Sequence, residues 1–148
     1  MKEVLSIVMV ISGALFAAGV VPIAWERAPA WRAAGYAQFR DELAYTLRRV
    51  DQLQPALLFV CLASTVGFII SASGTAAVLA AIAAGLLLSV LIGSGTVLVP
   101  VQRRLTTRGL ELADADVERL RSRWLAGHLV RTTVTLTVLC LLVIAAVT

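Results

Sequence analysis

Four side chains in the last quarter of the sequence carry most of the chemistry the chain can offer. Trp124, His128, Arg131 and Thr135 are spaced by four, three and four residues, so on an α-helix they share one face. His128 is the only histidine. An imidazole can accept or return a proton near neutral pH. The guanidinium of Arg131 keeps its charge and can hold a phenolate, enolate or carboxylate. Both stand at the start of an apolar segment, where they are costly in lipid unless they face a cavity or a partner helix. A plainer reading stands beside this one, in which Arg131 snorkels to the headgroups and His128 sits near an interface without a task.

The other polar residues at the margins of apolar segments are Trp25 and Glu26, Gln54 and Pro55, and Pro100 and Gln102. They form no Ser/His/Asp set, phosphate loop or metal cluster with one histidine. Cys61 and Cys140 lie singly inside apolar runs, as small buried hydrophobes do. No metal site is expected, and haem or copper would need ligands from two subunits.

The elements that must position these residues follow from hydropathy. Of 148 residues, 59% are hydrophobic and 15% charged, and the mean hydropathy is +0.90. A soluble domain of this length cannot bury so much apolar surface. The chain is therefore read as one all-α integral membrane domain over residues 1–148. Four segments are long enough for a bilayer core of about 30 Å: residues 4–24, 55–71, 76–99 and 129–147. Helices satisfy their backbone within the segment, so a four-helix bundle is expected. Ser71, Ser73 and Gly74 mark a tight turn joining the second and third helices as a hairpin. Ala28, Pro29 and Ala30 resemble a signal cleavage site, but the preceding apolar run is long and Lys2 is offset by Glu3, so a retained first helix is expected.

The net charge of +4 does not mark a nucleic-acid partner, because the basic residues flank apolar runs. Arg27, Arg32, Arg40, Arg48 and Arg49 fall between the first two segments. Arg103, Arg104, Arg108, Arg119, Arg121 and Arg123 fall between the last two. The positive-inside rule puts both regions in the cytoplasm and both termini outside, the expected location being a bacterial inner membrane, with Trp25, Trp31 and Trp124 at the cytoplasmic interface. Tyr36, Phe39, Leu43, Leu47 and Val50 recur at helical spacing opposite Arg40, Asp41, Arg48, Arg49 and Asp51. They predict an amphipathic interfacial helix between the first and second membrane helices, a strap or a roof over a substrate cavity. The acids at 111, 114, 116 and 118 before Arg119, Arg121 and Arg123 mark a helix start.

Gly85, Ser89 and Gly93, and likewise Ala63, Gly67 and Ser71, are spaced for close helix packing, and the former triplet would suit a contact in a homo-oligomer. Thr132, Thr133, Thr135 and Thr137 are expected to bond back to their own helix, with a polar cavity wall as the alternative.

Three stretches carry a family resemblance. Phe39–Phe59 (FRDELAYTLRRVDQLQPALLF) is similar to an interfacial helix ending in Asn-Pro. Val99-Pro100-Val101-Gln102 is similar to a Val-Pro-x-Asn that closes the third helix, and Trp124–Thr132 (WLAGHLVRT) to a Trp-x-x-Trp-Asn-x-x-Arg-Thr that opens the fourth. In these the chain resembles the anthrone oxygenase-like family of small four-helix membrane proteins. Trp124, Arg131, Pro55 and Pro100 keep the pattern. Gln54 and Gln102 stand in place of asparagine, Gly127 in place of the second tryptophan and His128 in place of an asparagine.

The resemblance implies a cofactor-independent oxygenase acting with dioxygen on a lipophilic, acidic aromatic substrate, anthrone-like or phenolic, in natural-product biosynthesis. Under that reading His128 is base or proton shuttle, and Arg131 and Gln102 stabilise the developing oxyanion. Gln54 is a further donor, and Trp25, Trp124 and Thr135 line the substrate site. The competing expectation is a non-catalytic membrane protein that binds a lipophilic ligand or serves as an accessory subunit. The partners expected are the lipophilic substrate, membrane lipid and further copies of the chain, not nucleic acid.

Overall fold

Two prolines shape the longest helices. Pro29 and Pro100 lack an N–H, and their rings collide with the carbonyl four residues back, that of Trp25 and of Thr96. In the computed structural model, which describes residues 1–50, 53–107 and 109–148, the turn before each proline is wound out into a π-helix. Asp51 and Arg108 lie outside the described residues. Helix α1 (Lys2–Pro22) runs through a π segment, Ile23–Arg27, into α2 (Ala28–Ala33). Helix α5 (Gly74–Gly93) runs through Ser94–Leu98 into α6 (Val99–Thr106). The wider turn makes room for the ring without ending the helix.

Between these rods lie α3 (Tyr36–Val50) and α4 (Gln54–Ser71). Pro55 sits in the first turn of α4, where its missing N–H has no intrahelical role. Gly74, with φ of +61°, supplies the left-handed step that turns α4 back into α5. Helix α7 (Asp114–Val147) opens on Asp114 and Asp116, placed well for the helix dipole.

The protein is a four-helix membrane bundle. Helices α1, α4, α5 and α7 form a ring in which α1 packs on α4 and α7, and α5 on the same two. Residues 4–24, 55–71, 76–99 and 129–147 all lie within its four apolar rods. Outside those ranges the chain is more helical than the sequence suggested. The helix start expected at the acids before Arg119 is that of α7, which runs unbroken into the fourth apolar segment and has 34 residues, about 50 Å, well beyond the roughly 30 Å of a hydrocarbon core.

The extra length carries a second core. The bundle core runs from Met9, Phe16 and Val20 through Cys61 and Phe68 to Leu87 and Leu142. At the end bearing the arginine-rich connections, Trp31, Phe39, Leu43, Leu47, Leu105, Leu120 and Trp124 form another cluster, here called the cap. The amphipathic α3 thus buries its apolar face against protein. Trp31, expected at the interface, is buried instead: its ring meets Phe39 at 5.9 Å and Trp124 at 5.7 Å, and its Nε1–H donates to Glu42 at 2.9 Å. The small-residue stripes also divide. A Cβ on Gly67 would meet Leu5 of α1 at 3.2 Å, whereas one on Gly85 or Gly93 would meet nothing within 4 Å. The latter stripe lies on the outer surface and packs no helix within the chain.

Arg121 ties the cap together. It is buried, donates to the carbonyls of Trp31 (3.1 Å) and Ala34 (2.9 Å), pairs with Glu118 and lies over the rings of Tyr36 and Phe39. Those carbonyls belong to the last turn of α2, which has no continuing helix to satisfy them. Arg121→Gln is expected to lower stability in detergent by about 3 kcal/mol and to shift Trp31 emission, whereas the exposed Arg119→Gln stays within about 0.5 kcal/mol; thermal unfolding followed by fluorescence compares them.

Hydrogen bonds from Gln38 and Trp31 hold the Glu42 carboxyl below its ordinary pKa range. A lowered folded pKa means that its contribution is present above the unfolded value and lost as pH falls through the folded one. Acid should therefore loosen Trp31 in the wild type, and Glu42→Gln should remove that pH dependence; an unchanged acid limb in the variant refutes the link.

Candidate functional site

The widening at Pro29 reaches the site through one carbonyl. Val20 stands where α1 gives way to the π segment, and its carbonyl accepts from the Ile23 N–H. A carbonyl oxygen has a second lone pair, and here it meets His128 Nε2 at 3.1 Å. On the other side of the ring, Arg131 Nη2 lies 3.0 Å from His128 Nδ1. A guanidinium only donates and a carbonyl only accepts, so the two contacts assign the tautomer: Nδ1 carries the lone pair and Nε2 the hydrogen. The imidazole is 1% exposed and has a partner on each nitrogen.

His128 marks the junction of the two cores. Trp124, one turn earlier and part of the cap, stacks on the imidazole with 5.0 Å between centroids and 11° between planes. With Trp31 and Phe39 it forms a continuous run of rings from α3 to the buried histidine. Thr132 donates to the His128 carbonyl at 2.9 Å and Thr135 to that of Arg131 at 2.8 Å. Thr133 and Thr137 do the same on the exposed face, so these threonine hydroxyls bond within their helix.

Gln54 joins the site from α4. Its side chain rests on Gly19, the residue before Val20, so closely that a Cβ on Gly19 would stand 1.8 Å from Nε2 and 2.7 Å from Cδ. Gln54 Oε1 and Trp124 Nε1 are both buried without a hydrogen-bond partner. One is an acceptor beside Gly19 and the other a donor on the ring stacked against His128, and buried polar atoms of this kind call for a partner.

The remaining sequence-derived positions separate from this group. Trp25 is 86% exposed and forms no wall around His128. It sits in the π segment and faces outward because Ile23 and Ala28 take the inward positions. Gln102, on α6, lines an open groove of about 1000 Å³ shared with Arg40, Tyr45 and Arg48 of α3. Arg40 crosses that groove to the carbonyls of Leu105, Thr107 and Leu110 at 2.8, 3.2 and 3.2 Å, tying α3 to the end of α6. Gly19, Val20 and Trp31 were not anticipated from the sequence. A backbone carbonyl leaves no mark on residue identity, and Gly19 is one glycine among ten.

The family profile described as anthrone oxygenase matches residues 43–141, about two thirds of the chain. The chain belongs to the anthrone oxygenase family. The matched stretch contains Gln54, Gln102, Trp124, His128, Arg131 and Thr135, while Gly19 and Val20 on α1 precede it. No curated protein and no solved structure matches the chain. As an anthrone oxygenase family member the protein thus carries its polar constellation mainly on α4 and α7 and completes it with a carbonyl from α1.

The notch at Gly19 predicts a coupled pair of variants. Gly19→Ala should evict the Gln54 amide and cost about 1–3 kcal/mol, whereas adding it to Gln54→Ala should cost much less. Thermal melts of the four proteins give the coupling; equal cost in both backgrounds would show that the notch does not seat Gln54.

Proposed function

We propose that the protein is a membrane-embedded, cofactor-independent oxygenase of a lipophilic aromatic substrate, anthrone-like or phenolic, in natural-product biosynthesis. Family membership supports oxygenase-like chemistry, and the observation that carries the residue roles is the contact of Arg131 with His128 Nδ1. In this reading the incoming substrate oxygen takes the guanidinium, and the release of Nδ1 leaves a lone pair beside the acidic C–H. Nδ1 then takes the benzylic proton while Nε2–H stays on the Val20 carbonyl, which pins the ring. Arg131 balances the charge spread onto the substrate oxygen.

The delocalised carbanion passes one electron to dioxygen; the radical and superoxide combine, and the proton on His128 completes a hydroperoxide. Loss of water gives the ketone, so one CH₂ and one O₂ become one C=O and one H₂O. The Trp124 N–H and Gln54 Oε1 serve as donor and acceptor for the substrate's oxygen functions, and Gln102 in its groove serves as a further donor on the route inward. Thr135 belongs to the wall below Arg131. In this proposal the arginine-rich cap faces the cytoplasm and the termini lie outside.

A second reading, a binding or accessory protein without turnover, draws on the fact that both imidazole nitrogens are already engaged. The two separate in one set of experiments. Oxygen uptake with an anthrone, corrected for uncatalysed oxidation, should fall about 10²–10⁴-fold in His128→Ala and about 10²–10³-fold in Arg131→Gln. Without oxygen, the wild type should exchange the benzylic hydrogens with deuterated water, and His128→Ala should not. Wild-type rates in both variants would remove the assignment; binding without exchange or uptake in the wild type would favour the second reading.

A further inference from the structure

On the outer face of the arginine-rich end, away from His128, three guanidinium groups meet. Arg104 of α6 and Arg119 and Arg123 of α7 surround a cleft of about 140 Å³ whose floor includes Val97, Pro100 and Val101. All three arginines are exposed, and among the described residues none makes an ion pair or a side-chain hydrogen bond. The nearest acid in sequence, Glu118, is taken up by Arg121 and Ser122, and no acid lines the cleft. Like charges held together without a counter-ion repel one another, so the arrangement gains from an anion.

The surface beyond the cleft says what kind of anion. Thr96 on its wall continues at four-residue steps to Ile92 and Leu88, which share its helix face. Both are exposed, as is Val130, seven residues after Arg123 on α7. Helices α5 and α7 pack along each other here, so the cleft opens onto an apolar seam in the membrane-spanning part of the bundle. A free inorganic anion would use the arginines alone. A charged headgroup with a hydrocarbon tail would use both features.

We propose that this cleft binds the phosphate headgroup of an anionic membrane lipid, with an acyl chain lying on the seam between α5 and α7. Guanidinium forks match phosphate oxygens in geometry, and basic pockets between membrane helices are suited to such headgroups. The site is distinct from the buried histidine and does not depend on the oxygenase reading.

The test uses the full chain in neutral detergent, stripped of lipid and titrated separately with phosphatidylglycerol, phosphatidylcholine and inorganic phosphate, with bound lipid read by native mass spectrometry and phosphate by competition. Phosphatidylglycerol should bind at least about tenfold more tightly than phosphatidylcholine, each Arg→Gln change in the cleft should weaken it about fivefold, and Arg104→Gln/Arg119→Gln/Arg123→Gln should abolish the preference. A charge-matched control, Arg27→Gln/Arg32→Gln/Arg49→Gln, should keep it. Equal binding of the two lipids, equal loss in the control, or inorganic phosphate competing as well as lipid would overturn the proposal, the last outcome meaning a plain anion site. Circular dichroism verifies folding; if the triple variant unfolds, Arg123→Gln alone decides by the same fivefold criterion.

Discussion

A polar layer buried between two apolar cores has to find its partners within the protein, and the rest of this structure accommodates that requirement. His128 sits where the bundle core ends and the cap begins, enclosed by protein, so its polar atoms need partners within the fold. Its two nitrogens are therefore matched by a carbonyl from α1 and a guanidinium from its own helix. That carbonyl, near the end of α1, also accepts from the Ile23 N–H, and the π segment that precedes Pro29 begins three residues further on. A backbone carbonyl of α1 thus helps to set the tautomer of a histidine on α7.

The arginines at this end look alike in sequence, yet the fold gives them different work. Arg121 is buried and serves the backbone, closing the last turn of α2. Arg40 does similar work across the groove, reaching three carbonyls beyond α6. Arg131 is turned toward an imidazole, and Arg104, Arg119 and Arg123 stay solvent-exposed around a cleft. A topology rule that counts positive charge treats all of these as one signal. Their separation depends on burial and on whether a helix end lies within reach, neither of which composition records.

The bundle was legible because its signal is redundant. Four apolar runs, a glycine turn and the periodicity of Phe39, Leu43 and Leu47 each specify one element, and all agree. Spacing alone also placed Trp124, His128, Arg131 and Thr135 on a single face, and all but the half-buried Arg131 are buried. What spacing could not give was the other half of each contact. Val20 acts through its backbone, Gly19 through an absent side chain and Gln54 by resting in the resulting notch. Trp25 and Trp31, both read as interfacial, part company because the π turn rotates one outward and the cap encloses the other. The start of α7 was legible in its order of acids before bases; what spacing did not show is that this helix continues without a break into the fourth apolar segment.

The neighbours of Gly127 and His128 restrict what each position can hold. Gly127 stands where the pattern has a tryptophan, and a Cβ there would come within 2.7 Å of Leu98 Cδ2. Leu98 ends the π segment that precedes Pro100, so the same winding change that relieves the proline presents a leucine to α7. An indole at 127 and a leucine at this approach cannot both occupy the space. Position 128 is packed on one plane by the Trp124 indole and held at both ring edges by hydrogen bonds. A planar imidazole fits that slot, so a carbonyl from α1 and an indole and a guanidinium from α7 together fix one orientation of the ring.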